Sequence, residues 1–177
     1  MNFLVLVKHY KSYINPVILY GILVYGCTTK TTLDPVFKLQ KKLIRIIFNK
    51  KRDFHSEILF EKANVPNIYD LYSRELMKFS LLAAIKNTSS YTVTNLIHLN
   101  EAHVKTRKAC QGMFSIPTIK KNVQKRSLSY RGCKVLNYLL EKELISKRII
   151  GQSERQINYL VRKLKVNYKE LSEILFN

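Results

Sequence analysis

Three aspartates, Asp34, Asp53 and Asp70, are where a metal-dependent polymerase or nuclease site would have to begin in this sequence. Two-metal chemistry needs clustered carboxylates to hold the ions. These three stand apart from one another, no Asp-Asp pair exists, and Asp34, placed before Pro35, reads better as a helix cap. A glycine-rich phosphate loop, a Gly-x-Ser-x-Gly elbow and a His-Glu-x-x-His motif are all missing. His98, Glu101 and His103, with Cys110 nearby, match no common zinc spacing. Cys27, Cys110 and Cys133 are widely spaced, which argues against a disulfide framework and fits a reducing compartment. Cys27, beside an apolar helix end, reads as a small buried thiol. No catalytic residue, metal site or cofactor is expected.

What remains is cationic. Thirty-one lysines and arginines against twelve acids give a formal charge of +19, which attracts polyanions. Nucleic acid is the first partner to consider and an anionic membrane surface the second. From His103 to Lys134 there are nine positive side chains and no acid. Within that segment Arg107, Lys121, Lys125, Arg126 and Arg131 are the candidate phosphate grips, and Tyr130 the candidate base-stacking ring. Lys38, Lys41, Lys42 and Arg45 form a second candidate set on one arc of a helix. Each set has a plainer reading beside it: a solvated helix face for the quartet, a charged loop without a fixed partner for the segment. No pattern here reads base edges, so any binding is expected to be independent of sequence.

The elements that must position these residues are mostly helices. Apolar residues make up 46% of the 177, enough for a core, and five glycines with four prolines are too few for a turn-rich sandwich or barrel. Residues 3–14 have helical apolar spacing, and Asn15-Pro16 is a helix-start pair leading into a helix that ends at Gly26. Residues 12–29 carry no charge, but proline, asparagine, tyrosines and glycines make this a buried core helix sooner than a membrane span. Asp34-Pro35 predicts a helix to about Asn49, with Val36, Leu39, Leu43, Ile44, Ile46 and Ile47 on its inner face. Short and long helices follow, from Ser56 or His55 to Ala63 and from Ile68 to Lys86, with a break at Pro66. Within 110–132, "GMFSIP" and "RSLSYRG" alternate and predict a short β-hairpin. Helical patterns resume from Lys134 to Ile145, after a Ser153–Gln156 capping box, and at the C-terminal end. The fold class expected is mainly α, a helical bundle. Its expected parts are a helical region at 1–88, a linker at 89–99, and a basic segment followed by helices at 100–177.

The order of motifs resembles one family. "INPVILYGILVYG" (14–26) resembles the helix that comes after the polymerase core of jockey-like non-LTR retrotransposon reverse transcriptases, a Leu-Ile-x-Pro-x-Leu-x-Tyr-Gly-Ile-x-x-Trp-Gly pattern. "LQKKLIRII" (39–47) is similar to the family's next helix. "HVKTR" (103–107) is similar to its His-x-Tyr-x-Thr-Arg element, one residue shorter and without the tyrosine. "IPTIKKNVQKRSLSYRGCKVLNYL" (116–139) is similar to its Pro-x-x-Arg-Thr…Tyr-x-Gly-x-x-x-Trp-Asn-x-Leu-Pro element, and "INYLVRKLKVNY" to its closing helix. Tyr25 and Leu136 stand where the family has tryptophans, and Leu139-Leu140 where it has Leu-Pro.

The resemblance implies a thumb-like region and the segment beyond it, without the family's Ala-Asp-Asp catalytic box. The chain would then be no enzyme by itself. It would bind RNA or an RNA–DNA hybrid, its other partner being the palm domain, within the cytoplasm or nucleus. The rival expectations are an inactive structural remnant of a mobile element and a small basic membrane-associated protein. No secretory signal is expected, since the charges of "MNFLVLVKHYK" come after its apolar run.

Overall fold

The uncharged stretch from Ser12 to Thr29 does not fold as one buried helix in the computed structural model, which describes residues 2–85, 114, 116–145, 156, 159, 161 and 166–176. Helix α1 (Phe3–His9) opens with the Asn2 side chain accepting the Leu4 N–H. It passes through a π-turn, Tyr10–Ile14, into α2 (Asn15–Leu19). Pro16 has no N–H for the carbonyl four residues earlier, and the wider turn just before it carries the chain past that gap, with the Asn15 N–H on the Tyr10 carbonyl. Tyr20 is then extended and Gly21 left-handed at φ 67°, a conformation that suits glycine. Helix α3 (Ile22–Tyr25) comes next, and the Tyr25 hydroxyl donates to the Ile18 carbonyl across the break. The break re-aims the chain, so its two halves cannot share one buried stripe. Ile22 is buried, but Val17, Tyr20 and Val24 are exposed, against the expectation of a core helix. Among the described residues no helix is long and apolar enough to cross a membrane. Gly26 has an ordinary φ and is needed for space: a Cβ there would overlap the Ile22 carbonyl and the ring of buried Tyr72.

Helix α4 (Lys30–Ile47) starts five residues before the predicted Asp34-Pro35 boundary. Thr29 is the extended residue at its start, and the Leu33 N–H reaches the Thr29 carbonyl. Pro35 therefore lies inside the helix, and Asp34 accepts the Tyr69 hydroxyl at 2.6 Å in place of capping. Burial, the hydrogen bond and the negative charge of Asp34 all push the Tyr69 hydroxyl's pKa up. Leu33, Gln40 and Ile44 are the fully buried residues of α4. After Ile47 the left-handed Asn49 turns the chain back, and the Lys50 N–H bonds the Arg45 carbonyl. Helices α5 (Ser56–Ala63) and α6 (Ile68–Ile85) come next, separated at Pro66 as expected. Val7, Tyr10, Ile44, Leu59, Phe60, Ala63 and Val65 form one core cluster. Inside it the Gln40 carboxamide donates to the Tyr10 hydroxyl at 3.0 Å and accepts the Ile68 N–H at 2.8 Å.

The chain divides into two compact units, residues 1–72 with Phe176 and residues 73–175 with Asn177. The division falls within α6, and the expected 89–99 linker lies outside the described residues. In the second unit Leu76, Met77, Leu81 and Ala83 of α6 are buried. A 3₁₀ turn (Asn122–Arg126) leads into α7 (Leu128–Glu141), and α8 (Tyr168–Phe176) closes the chain. The structure is mainly helical, and no strand or sheet is present among the described residues. The hairpin expected within 110–132 is thus corrected over 122–132. Ser127 accepts the Tyr130 N–H and caps α7, so "SLSYRG" is the start of a helix whose predicted first residue, Lys134, lies more than one and a half turns in. Asn137 holds the Phe114 backbone from inside α7, accepting its N–H at 2.7 Å and donating to its carbonyl at 3.1 Å. Glu170 accepts the Tyr138 hydroxyl and pairs with Lys142 at 2.9 Å. Of the helix expected after the Ser153–Gln156 capping box, Val161 is helical and buried; Ser153 lies outside the described residues.

The polar contacts of the first core can be tested by substitution. Gln40→Ala leaves the Ile68 N–H and the Tyr10 hydroxyl without their partner, and should lower stability by about 2–4 kcal/mol in urea unfolding. Tyr10→Phe should cost about 1 kcal/mol. A smaller loss for Gln40→Ala than for Tyr10→Phe would count against the network. In the second unit Cys133 is buried, and burial pushes its thiol from 9.0 up to about 11. A raised value means that the folded state favours the neutral thiol. That contribution is whole below about 9 and disappears as the pH rises through about 11. Iodoacetamide at pH 8 should therefore label Cys133 only after unfolding, read by peptide mass mapping.

Candidate nucleic-acid interface

The outer face of α4 is set by what its inner face buries. With Leu33, Phe37, Gln40, Ile44 and Ile47 turned to the core, the 100° helical step puts Lys38, Lys42 and Arg45 on the far side. Three of the predicted quartet thus face outward, and the fourth, Lys41, is half-buried at the margin of that face. Two of the residues predicted for the apolar face do not stay there: Leu39 is 60% exposed and Ile46 62%. Both lie beyond the edge of the buried arc, among the lysines.

These side chains line a recess of about 840 Å³. Its cations are Lys38, Lys41, Lys42, Arg45, Lys50 and Arg52; its apolar lining is Pro35, Leu39 and Ile46; no carboxylate is among its lining residues. The predicted quartet is therefore brought together, and two cations join it that sequence reasoning missed. Lys50 and Arg52 arrive because the loop after α4 folds back. The left-handed Asn49 starts the return, and the Arg45 Nε–H donates to the Phe54 carbonyl at 3.0 Å. Asn after the last periodic residue of a helix was the available signal. Lys41 sits over the Phe37 ring at 4.1 Å and Lys50 over Phe54 at 5.4 Å, which orients two flexible ammonium groups.

The second predicted set is only partly a surface. Lys121, Lys125 and Arg126 are exposed on the 3₁₀ turn, with Lys120 beside them. The Gln124 side-chain oxygen accepts the Lys120 and Lys121 N–H groups and tightens that turn. Tyr130 is half-buried, and Lys134 Nζ lies 5.2 Å from its ring centroid, so one stacking partner is already in place. Arg131 is 5% exposed within α7 and drops out of the set of surface grips, because Ser127 begins the helix early and turns position 131 inward. Arg107 lies outside the described residues, as do His98, Glu101, His103 and Cys110. Among the described residues no group of three or more His, Cys, Asp or Glu is placed to hold a metal ion. Asp34 and Asp70 are engaged locally, with the Tyr69 hydroxyl and the Asn67 carboxamide.

The arrangement suits holding a polyanion: six cations line one recess of the first unit, and the second unit carries an exposed cationic turn. No protein-family model matches the chain, and neither a curated protein nor a solved structure matches it.

Arg45 is predicted to hold the recess together as well as charge it. Arg45→Lys keeps the charge but loses the fork that reaches Phe54. Trypsin should then cut at Lys50, Lys51 or Arg52 about three- to tenfold faster, the opening that a hydrogen bond of about 1 kcal/mol controls. An unchanged cleavage rate would show that the loop does not depend on Arg45.

Proposed function

We propose that this chain is a non-catalytic nucleic-acid-binding module: the region beyond the palm of a jockey-like non-LTR retrotransposon reverse transcriptase, gripping RNA or an RNA–DNA hybrid without sequence preference. The observation that carries the binding reading is the α4 recess, six cations with no carboxylate in the lining. Opposed charges would ordinarily be interspersed on a solvated face, since like charges in one recess repel. Phosphates supply the missing countercharge, and Lys and Arg at fixed spacing suit a backbone more than a base edge. The exposed turn with Lys121, Lys125 and Arg126 offers a second phosphate contact. The family part of the reading rests on the order of motifs in the sequence. On that reading polymerase chemistry belongs to the palm, and the cell compartment is the cytoplasm or nucleus.

A labelled RNA–DNA hybrid titrated at several salt concentrations tests this. If six cations meet phosphates, log K should fall with log[salt] at a slope of about −5. Lys38→Ala/Lys42→Ala/Lys50→Ala should make the slope shallower by about 3, and the surface position of these residues leaves the fold intact. No binding at low salt, or a slope that the triple variant leaves unchanged, would refute the recess as the grip.

A further inference from the structure

The recess holds something a phosphate track does not need. Pro35, Leu39 and Ile46 are among its lining residues, at helical positions i, i+4 and i+11, a line of about 17 Å at 1.5 Å per residue. Leu39 and Ile46 are each more than half exposed, and both sit between cations. Scattered exposed leucines are ordinary. Two large aliphatic side chains lined up inside a recess with Lys38, Lys42, Arg45, Lys50 and Arg52 are a combined feature, and its ligand must answer both parts.

A nucleic-acid duplex answers one part. It turns phosphates outward and keeps its base faces stacked inside, so the cations would be matched while Leu39 and Ile46 lost water to a charged backbone. An unpaired strand answers both, because its phosphates alternate with bases whose faces are free to cover apolar side chains. We propose that the α4 recess takes a short single-stranded segment of RNA or DNA, with bases laid over Leu39 and Ile46 and phosphates held by Lys38, Lys42, Arg45, Lys50 and Arg52. This rests on the nucleic-acid reading above and narrows it to unpaired strand. An anionic lipid surface offers charge and apolar matter as well, but an interfacial helix presents a broad apolar face with aromatic or leucine anchors to insert. Here the broad apolar face of α4 is spent on the core, and the exposed stripe lines a recess to which the returning loop adds Lys50 and Arg52.

The test compares four probes by fluorescence anisotropy at one moderate salt concentration, with melting curves checking that the variant stays folded. The probes are an oligo-dT strand, an abasic strand of the same length, a blunt duplex, and vesicles containing phosphatidylserine. The full chain should bind the dT strand at least fivefold more tightly than the abasic strand or the duplex. Leu39→Ser/Ile46→Ser should remove that advantage and leave duplex binding within about twofold. Equal affinity for dT, abasic strand and duplex, with no effect of the double variant, would overturn the single-strand assignment and leave the nucleic-acid reading standing. Binding to none of the three nucleic-acid probes would overturn both. Vesicle binding that the double variant abolishes, with no binding to nucleic acid, would replace both with a lipid surface.

Discussion

One buried carboxamide holds the first unit in register. Gln40 is 1% exposed and sits where a leucine would fit the pattern of α4. It is polar because α6 begins in the core. Ile68 is fully buried, and the first four N–H groups of any helix lack partners within it. Here all four have acceptors: Ile68 the Gln40 side-chain oxygen, Tyr69 and Asp70 the Asn67 side-chain oxygen, Leu71 the Asn67 carbonyl. The second half of the same Gln40 amide reaches the Tyr10 hydroxyl, whose pKa burial raises. A side chain with both a donor and an acceptor can serve two elements at once, and a hydrocarbon cannot. The consequence for function lies on the other side of α4. With Gln40 fixed inward, position 42 is about 200° away, and Lys38, Lys42 and Arg45 are carried to the outer side.

The sequence reveals helices well and their boundaries poorly, for reasons that differ from place to place. Asp34-Pro35 looks like a helix start because both residue types favour it locally. In the fold a tyrosine 35 residues further on takes Asp34, and Thr29 opens the helix instead. At "RSLSYRG" the alternation is real but the other period wins, since one serine cap at 127 is enough to start α7. Ser12 to Thr29 has the composition of a core helix, yet Gly21 in a left-handed conformation divides it. The first and third are local preferences overridden by a partner distant in sequence or by a single backbone angle; the second is one local signal outweighed by another, the serine cap.

The candidate site is legible in its centre and not at its edges. Four cations of α4 emerge from helical periodicity alone. Lys50 and Arg52 belong to no periodic element, and only the Arg45–Phe54 hydrogen bond and the turn at Asn49 bring them in. Leu39 and Ile46 look like core because they are apolar. An apolar arc wide enough to hold six residues is wider than the surface α4 has to bury, and the residues at its margin spill into the recess. Arg131 shows the reverse error, a charged residue that reads as surface until the helix phase carries it inward.

Charge and fold are therefore coupled in the first unit. Six like charges around one recess oppose the folded state, because folding gathers cations that the unfolded chain can keep apart. The aromatic rings under Lys41 and Lys50 ease only part of that repulsion, since an exposed cation–π contact is worth about 0.5–1 kcal/mol. On the proposed function a bound polyanion would relieve the rest, since whatever binds only the folded state stabilises it by mass action. The core supports the arrangement from the other side: Gln40 and the helix start it satisfies hold α4 in the phase that gathers the charges. A packed interior thus maintains a surface of like charges that is unfavourable by itself, and this is why the recess, more than the net charge of +19, carries the proposed reading.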